Sequence, residues 1–136
     1  MLVFIVKSCY DGKMQQKTVF VVDDIGMNLS MAEQALEEQY RVITLSSAAN
    51  MFKILEKVIP DLILLDIEMP DMDGYETLKC LKTSDTYSGI PVIFITATIN
   101  ADIEASAQNL GAAAILLKPF SRSKLRDYVK QHIVSD

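Results

Sequence analysis

At 136 residues, half of them apolar, the chain can bury one core but is too short for two ordinary domains. A formal net charge of -5 argues against direct nucleic-acid binding, because surfaces that neutralise phosphate backbones concentrate Lys and Arg. Uninterrupted apolar stretches run only four to six residues, far below the ~20 needed to cross a bilayer, and Leu2–Val6 lacks the basic flank and length of a signal-peptide core, so a cytoplasmic protein without membrane contact is expected.

Two cysteines, Cys9 and Cys80, match neither a metal-ligand spacing nor a disulfide framework. Free thiols in a reducing compartment are expected.

Residues 1–17 contain a turn signal, Asp11-Gly12, followed by the polar Lys13, Gln15 and Gln16. They read as a flexible leader, an extra edge strand, or an upstream extension of a chain starting at Met14. From Thr18 onward, short Val- and Ile-rich runs alternate with longer segments whose apolar residues recur every three or four positions. Val19–Val22 predicts the first strand, and Leu29, Ala32 and Leu36 the first helix. Val42–Leu45 follows as a strand, then a helix carrying Met51, Ile54, Leu55 and Val58 on one stripe. Leu62–Leu65 predicts the third strand, and Tyr75, Leu78 and Leu81 the third helix. Val92–Ile95 and Ala113–Leu117 complete the strands. Ile103, Ala107 and Leu110 mark the fourth helix, and Leu125, Val129 and Ile133 the fifth.

Asn28, Ser47 and Ser121 are expected to cap helix N-termini, Gly111 to follow the fourth helix, and Pro60 to stop the second. The runs are mostly apolar throughout, as strands covered on both faces must be. The expected fold is α/β: a doubly wound, flavodoxin-like (βα)5 unit whose five-stranded parallel sheet carries helices on both faces.

In such a sheet, ligands bind beyond the carboxyl ends of the strands, where the strand order reverses. The first run ends in Asp23-Asp24, the third in Asp66, the fourth in Thr96 and the fifth in Lys118. Three crowded carboxylates must either raise their pKa values or recruit a cation. Hard oxygen ligands with few protein donors suit Mg²⁺. A carboxylate is also a competent nucleophile toward phosphorus when metal, ammonium and hydroxyl groups offset the phosphoryl charge. Each residue alone has an ordinary structural reading as a strand-end cap or loop opener; the set together reads as an acyl-phosphate site. Asp24 is open between a direct metal ligand and a water-mediated partner or cap. His132, the only histidine, reads as a surface residue, and the methionines as gap-fillers.

Four blocks, Val21-Val22-Asp23-Asp24, Asp66 through Gly74, Ile95-Thr96-Ala97 and Lys118-Pro119-Phe120, resemble the receiver domain of bacterial two-component response regulators. The resemblance covers residues 17–133 and places the domain at 18–136. It implies that Asp66 accepts a phosphoryl group from a histidine kinase or histidine phosphotransfer protein, and that Asp23 and Asp24 hold the metal with Asp66 and the backbone carbonyl of Glu68. It further implies that Thr96 binds a phosphoryl oxygen, that Lys118 contacts the phosphoryl group, and that the Lys118–Pro119 peptide is cis.

Such a protein is not an enzyme beyond catalysing its own phosphorylation and dephosphorylation. It signals to a downstream protein target or output domain, with a homodimer through the fourth helix, fifth strand and fifth helix a further implication. Many receivers carry an aromatic residue three positions before the Lys; here it is Ile115. Glu68 and Thr98, two residues beyond Asp66 and Thr96, are candidates for controlling the attacking water, or are solvated loop residues.

Two alternatives bear on function. A pseudo-receiver would keep the fold as a phosphorylation-independent interaction module, but such cases usually lose the acceptor, an acidic residue or the Lys, all present here. A haloacid-dehalogenase-type phosphatase also uses an aspartyl nucleophile, but places its nucleophile and acid two residues apart after the first strand, a spacing that Asp23-Asp24-Ile25 lacks. The chain stops shortly after the fifth helix, so it either acts alone or belongs to a longer regulator.

Overall fold

A computed structural model describes residues 16–133; the readings of residues 1–15, Cys9 among them, lie outside the described residues. Five strands alternate with five helices: β1 (Thr18–Val22), α1 (Gly26–Leu36), β2 (Arg41–Leu45), α2 (Ala48–Leu55), β3 (Leu62–Asp66), α3 (Gly74–Lys82), β4 (Val92–Thr96), α4 (Ala101–Leu110), β5 (Ala114–Leu117) and α5 (Arg122–His132). The strands form one parallel sheet in the order β2-β1-β3-β4-β5. The order reverses between β1 and β3, which opens a crevice beyond their carboxyl ends.

Successive side chains of a strand point to opposite faces, and the core divides accordingly. Phe20, Val22, Ile63, Leu65, Val92 and Phe94 face Met51 and Leu55 of α2, Leu78 and Leu81 of α3, and Ala107 of α4. On the other face, Val19, Val21, Leu62, Leu64, Ile93 and Ile95 meet Ala32, Ala35 and Leu36 of α1 and Leu125 and Val129 of α5. Residues of β1, β3 and β4 are buried along their whole length, which explains their continuous apolar runs. The flanking strands β2 and β5 are only partly covered, as their positions at the sheet's edges require.

Helix punctuation follows the sequence in part. Ser47 and Ser121 cap α2 and α5 by accepting the N–H groups of Asn50 and Lys124, and Gly111 closes α4 in the left-handed region at φ 85°. Helix α2 ends at Leu55, ahead of Pro60. Asn28 is not a cap: α1 already begins at Gly26 after an extended Ile25, and Asn28 sits in its first turn, where its side chain is used elsewhere. Two caps escaped the sequence reading. Asp73 accepts the N–H of Glu76 at the start of α3, and Asn100 that of Ile103 at the start of α4.

No helix among the described residues is long and apolar enough to cross a membrane. His132 lies half-buried at the end of α5, its ring tilted against Tyr128.

Candidate acidic site at the sheet edge

Burial of the central strands carries polar residues into the interior exactly where those strands end, so that Asp23, Asp66 and Thr96 are 2%, 3% and 1% exposed. Asp66 and Thr96 are the last residues of β3 and β4, and Asp23 follows β1 directly. Asp66 pairs in register with Ile95, which sets Thr96 one residue further along the neighbouring strand. The main chain knits the loops beyond: Ile67 donates to the Ile95 carbonyl at 3.0 Å, and Lys118 to the Thr96 carbonyl at 2.8 Å. Backbone pairing thus places Lys118 beside β4 before its side chain makes any contact.

One oxygen from each of the Asp23, Asp24 and Asp66 carboxylates lies within 4.8 Å of the others. Asp24 is exposed while the other two are buried. Lys118 bridges the buried pair, its Nζ lying 3.2 Å from Asp23 Oδ2 and 3.4 Å from Asp66 Oδ2. Three formal negative charges therefore face one positive charge. Burial, then the neighbouring Asp23, pushes the Asp66 carboxyl up to about 6, against the opposing pull of Lys118 and of the Glu68 N–H. An excess of carboxylates held in low dielectric is a site that gains from a cation.

Hydrogen bonds fix each acidic group. Asp66 Oδ1 accepts the Glu68 N–H at 3.3 Å. Asp23 Oδ1 accepts the Ile25 N–H at 2.9 Å, while its Oδ2 accepts both the Lys118 ammonium and the Asn28 amide, the latter at 3.1 Å. Thr96 Oγ1 donates to the Thr98 carbonyl at 3.1 Å and lies 3.2 Å from the Thr98 N–H that it accepts. Among the described residues, no buried side-chain nitrogen or oxygen lacks a partner.

The acidic loop after β3 turns back tightly. Gly74 donates its N–H to the Ile67 carbonyl at 2.8 Å, and a Cβ at this position would stand 2.7 Å from both the Asp66 carbonyl oxygen and Ile67 Cα. Only glycine permits that approach. Within the same loop, Asp71 adopts φ 70°, a left-handed conformation that Asp tolerates better than most residues. The Lys118–Pro119 peptide is cis, as the resemblance implied.

Asp23, Asp24, Asp66 and Lys118 thus form one cluster, and Thr96 ends the strand beside Asp66. Glu68 and Thr98 are exposed beside it, and Ile115 is half-buried against the core below. The sequence reading gave neither Asn28 nor Gly74 its role at the site. Asn28 could have been found from its place in the first turn of a helix that starts beside Asp23, and Gly74 from its position directly after a capping Asp.

Comparison with known proteins agrees with this fold. The family model described as response regulator receiver domain matches residues 19–130. A probable cyclic di-GMP phosphodiesterase of Vibrio cholerae is 36% identical over 88% of this chain, which spans 27% of that protein. Sporulation initiation phosphotransferase F of Bacillus subtilis is 34% identical, with 88% of this chain and 95% of that one aligned. Among solved structures, the chemotaxis protein CheY4 of Vibrio cholerae superposes with a TM-score of 0.82 at 25% identity, covering 85% of this chain and 98% of that one.

Proposed function

This chain belongs to the response regulator receiver domain family, and from that premise we propose that Asp66 is its phosphoacceptor, served by a histidine kinase or a histidine phosphotransfer protein. The observation that carries this reading is the buried Asp66 carboxylate held within reach of one ammonium and two further carboxylates.

Asp23, Asp24 and Asp66, with the backbone carbonyl of Glu68, would hold Mg²⁺. The donor set fits, being all hard oxygen and carrying more negative charge than Lys118 offsets. The ion would supply charge neutralisation at the phosphoryl oxygens.

The chain's own residues do the rest. Phosphoryl transfer forms a bond between a carboxylate oxygen of Asp66 and phosphorus as the bond to the donor's imidazole nitrogen breaks. In-line attack needs an ionised, correctly aimed carboxylate. The Glu68 N–H on Oδ1 and Lys118 on Oδ2 fix that aim. Lys118 then moves its ammonium from the carboxylate pair toward the incoming phosphoryl oxygens. The Thr96 hydroxyl, which spends its proton on the Thr98 carbonyl, must exchange that acceptor for a phosphoryl oxygen. The exchange pulls on the loop after β4 and transmits the event toward α4.

Ile115 is half-buried against the core, in register with Phe94 of β4, so packing of an aliphatic side chain, rather than an aromatic ring's reorientation, would carry the signal further. The same reading assigns residues 18–136 to the receiver domain and 1–17 to a leader or extension, and places the protein in the cytoplasm. A downstream protein or output domain, and a homodimer through α4, β5 and α5, complete it; sedimentation equilibrium with and without phosphodonor tests the dimer.

The direct test of donor class uses a histidine phosphotransfer protein carrying ³²P on its histidine. Label should pass to the wild-type chain in Mg²⁺ and not to Asp66→Asn. Label retained by Asp66→Asn would place the acceptor elsewhere.

A further inference from the structure

We propose that Asn28 is a positioning residue for the metal site: its side-chain amide holds the Asp23 carboxylate in the orientation that faces Asp66, and keeps holding it when Lys118 is drawn away. The inference rests on the reading of Asp23 as a metal ligand.

Asp23 is 2% exposed and its carboxylate has three donors. Oδ1 accepts the Ile25 N–H at 2.9 Å, whereas Oδ2 is shared by Asn28 Nδ2 at 3.1 Å and Lys118 Nζ at 3.2 Å. These donors differ in permanence. The Ile25 N–H belongs to the turn that launches α1, and the Asn28 side chain projects from the first turn of α1 itself. Both are fixed to the same rigid element. Lys118 is not so committed, because its ammonium also lies 3.4 Å from Asp66 Oδ2, and any anion arriving at Asp66 competes for it. Once Lys118 turns away, Asn28 is the one side-chain donor among these contacts still on Oδ2.

The chemistry of the amide suits that task. Asn28 supplies a hydrogen bond without positive charge, so it orients Asp23 while leaving the negative charge of the cluster available to a cation. A Lys or Arg in its place would orient the carboxylate and neutralise it together. Asn is also a weak helix former that favours caps over interior turns, yet α1 carries it past its cap position. Its local cost to the helix is accepted where the bond to Asp23 is made. Partners that orient a ligating carboxylate typically influence metal affinity by about 10- to 100-fold.

Asn28→Leu keeps the branched outline at a larger volume and improves helix propensity while removing the donor, and Asn28→Ala provides a smaller second variant. Mg²⁺ alone is titrated into each protein by isothermal calorimetry, with Asp23→Asn as control. The ¹⁵N–¹H resonance of Ile25, whose N–H rests on the other Asp23 oxygen, reports the carboxylate's orientation in metal-free protein. We expect both Asn28 variants to bind Mg²⁺ about 10-fold more weakly, with a displaced Ile25 resonance and unaltered far-UV circular dichroism. Asn28→Gln, which retains the amide, should recover part of the loss. Wild-type affinity in both Asn28 variants, alongside lost binding in Asp23→Asn, would overturn the role of Asn28 alone. Wild-type affinity in Asp23→Asn would instead overturn the metal-ligand reading on which it rests.

Discussion

The ammonium of Lys118, just past β5, reaches across β4 to within 3.4 Å of the Asp66 carboxylate at the end of β3. The contact joins two elements that share no backbone ladder, and its other arm rests on Asp23. Lys118 is therefore the electrostatic keystone of the metal-free site. Lys118→Met should push the Asp66 carboxyl above its value of about 6, since the attraction that lowers it is removed. The loss of stability at neutral pH should be about 1–3 kcal/mol, between the small loss for an exposed pair and the larger one for a fully buried pair, because the lysine is partly solvated. A ¹³C titration of the Asp66 carboxyl and urea denaturation in EDTA measure both quantities; an unmoved carboxyl would show that the contact carries little charge interaction.

Asp66 predicts a pH dependence of stability with a definite sign. Its folded-state value of about 6 lies above the ordinary 3.8, chiefly through burial and then through Asp23. The folded protein therefore binds this proton more tightly than the unfolded chain does. The contribution is fully present below about pH 4 and is lost as pH rises through about 6. Asp66→Asn, which removes the buried charge, should accordingly stabilise the metal-free protein at pH 7.5 by up to about 3 kcal/mol, and by far less at pH 4. Thermal melts of both proteins in EDTA across this range check it. A stabilisation independent of pH would assign the effect to packing.

Divalent cation should reverse that ordering. A cation at the three carboxylates lowers the free energy of ionised Asp66, so the melting temperature of the wild type should rise with added Mg²⁺, continuing logarithmically once the concentration exceeds the dissociation constant. Asp23→Asn and Asp66→Asn should gain little. Equal shifts in all three would mean that the ion acts outside this cluster.

Gly74→Ala tests the close approach behind the site. A Cβ would press on the Asp66 carbonyl oxygen and Ile67 Cα at 2.7 Å, and both are backbone atoms that cannot rotate away. Although Ala is ordinarily the better helix residue, a net destabilisation of about 1–3 kcal/mol is expected from overpacking, with slower phosphorylation because the strain falls on Asp66. Denaturant melts and phosphorylation rates report the two effects; a stabilised variant would show that the loop shifts freely.

Much of this arrangement was legible in the sequence because its signals are local. Continuous apolar runs marked β1, β3 and β4, whose burial on both faces leaves no polar alternation to confuse them. The polar residues closing those runs, Asp23, Asp66 and Thr96, stood out for the same reason, and the order of the four blocks led to the family. Asn28 was misread because an Asn before a helical stripe looks like a cap. Whether its amide meets a helix N–H or the Asp23 carboxylate depends on where α1 starts, which periodicity does not specify to the residue. Gly74 was quoted only as the end of a block, since the neighbour that demands glycine there is a carbonyl eight positions earlier in the chain. The shared ammonium of Lys118 is likewise a consequence of the strand order, with β4 set between β3 and β5.

The central claim is that Asp66 takes the phosphoryl group. Incubation with Mg²⁺ and acetyl phosphate followed by intact mass spectrometry tests it most directly, with Asp66→Asn alongside. One added phosphoryl group on the wild type, absent from Asp66→Asn and from the wild type in EDTA, is the predicted result. An adduct of equal yield on Asp66→Asn, or none on the wild type from either acetyl phosphate or a phosphohistidine donor, would contradict it and favour a module that binds its partners without phosphorylation.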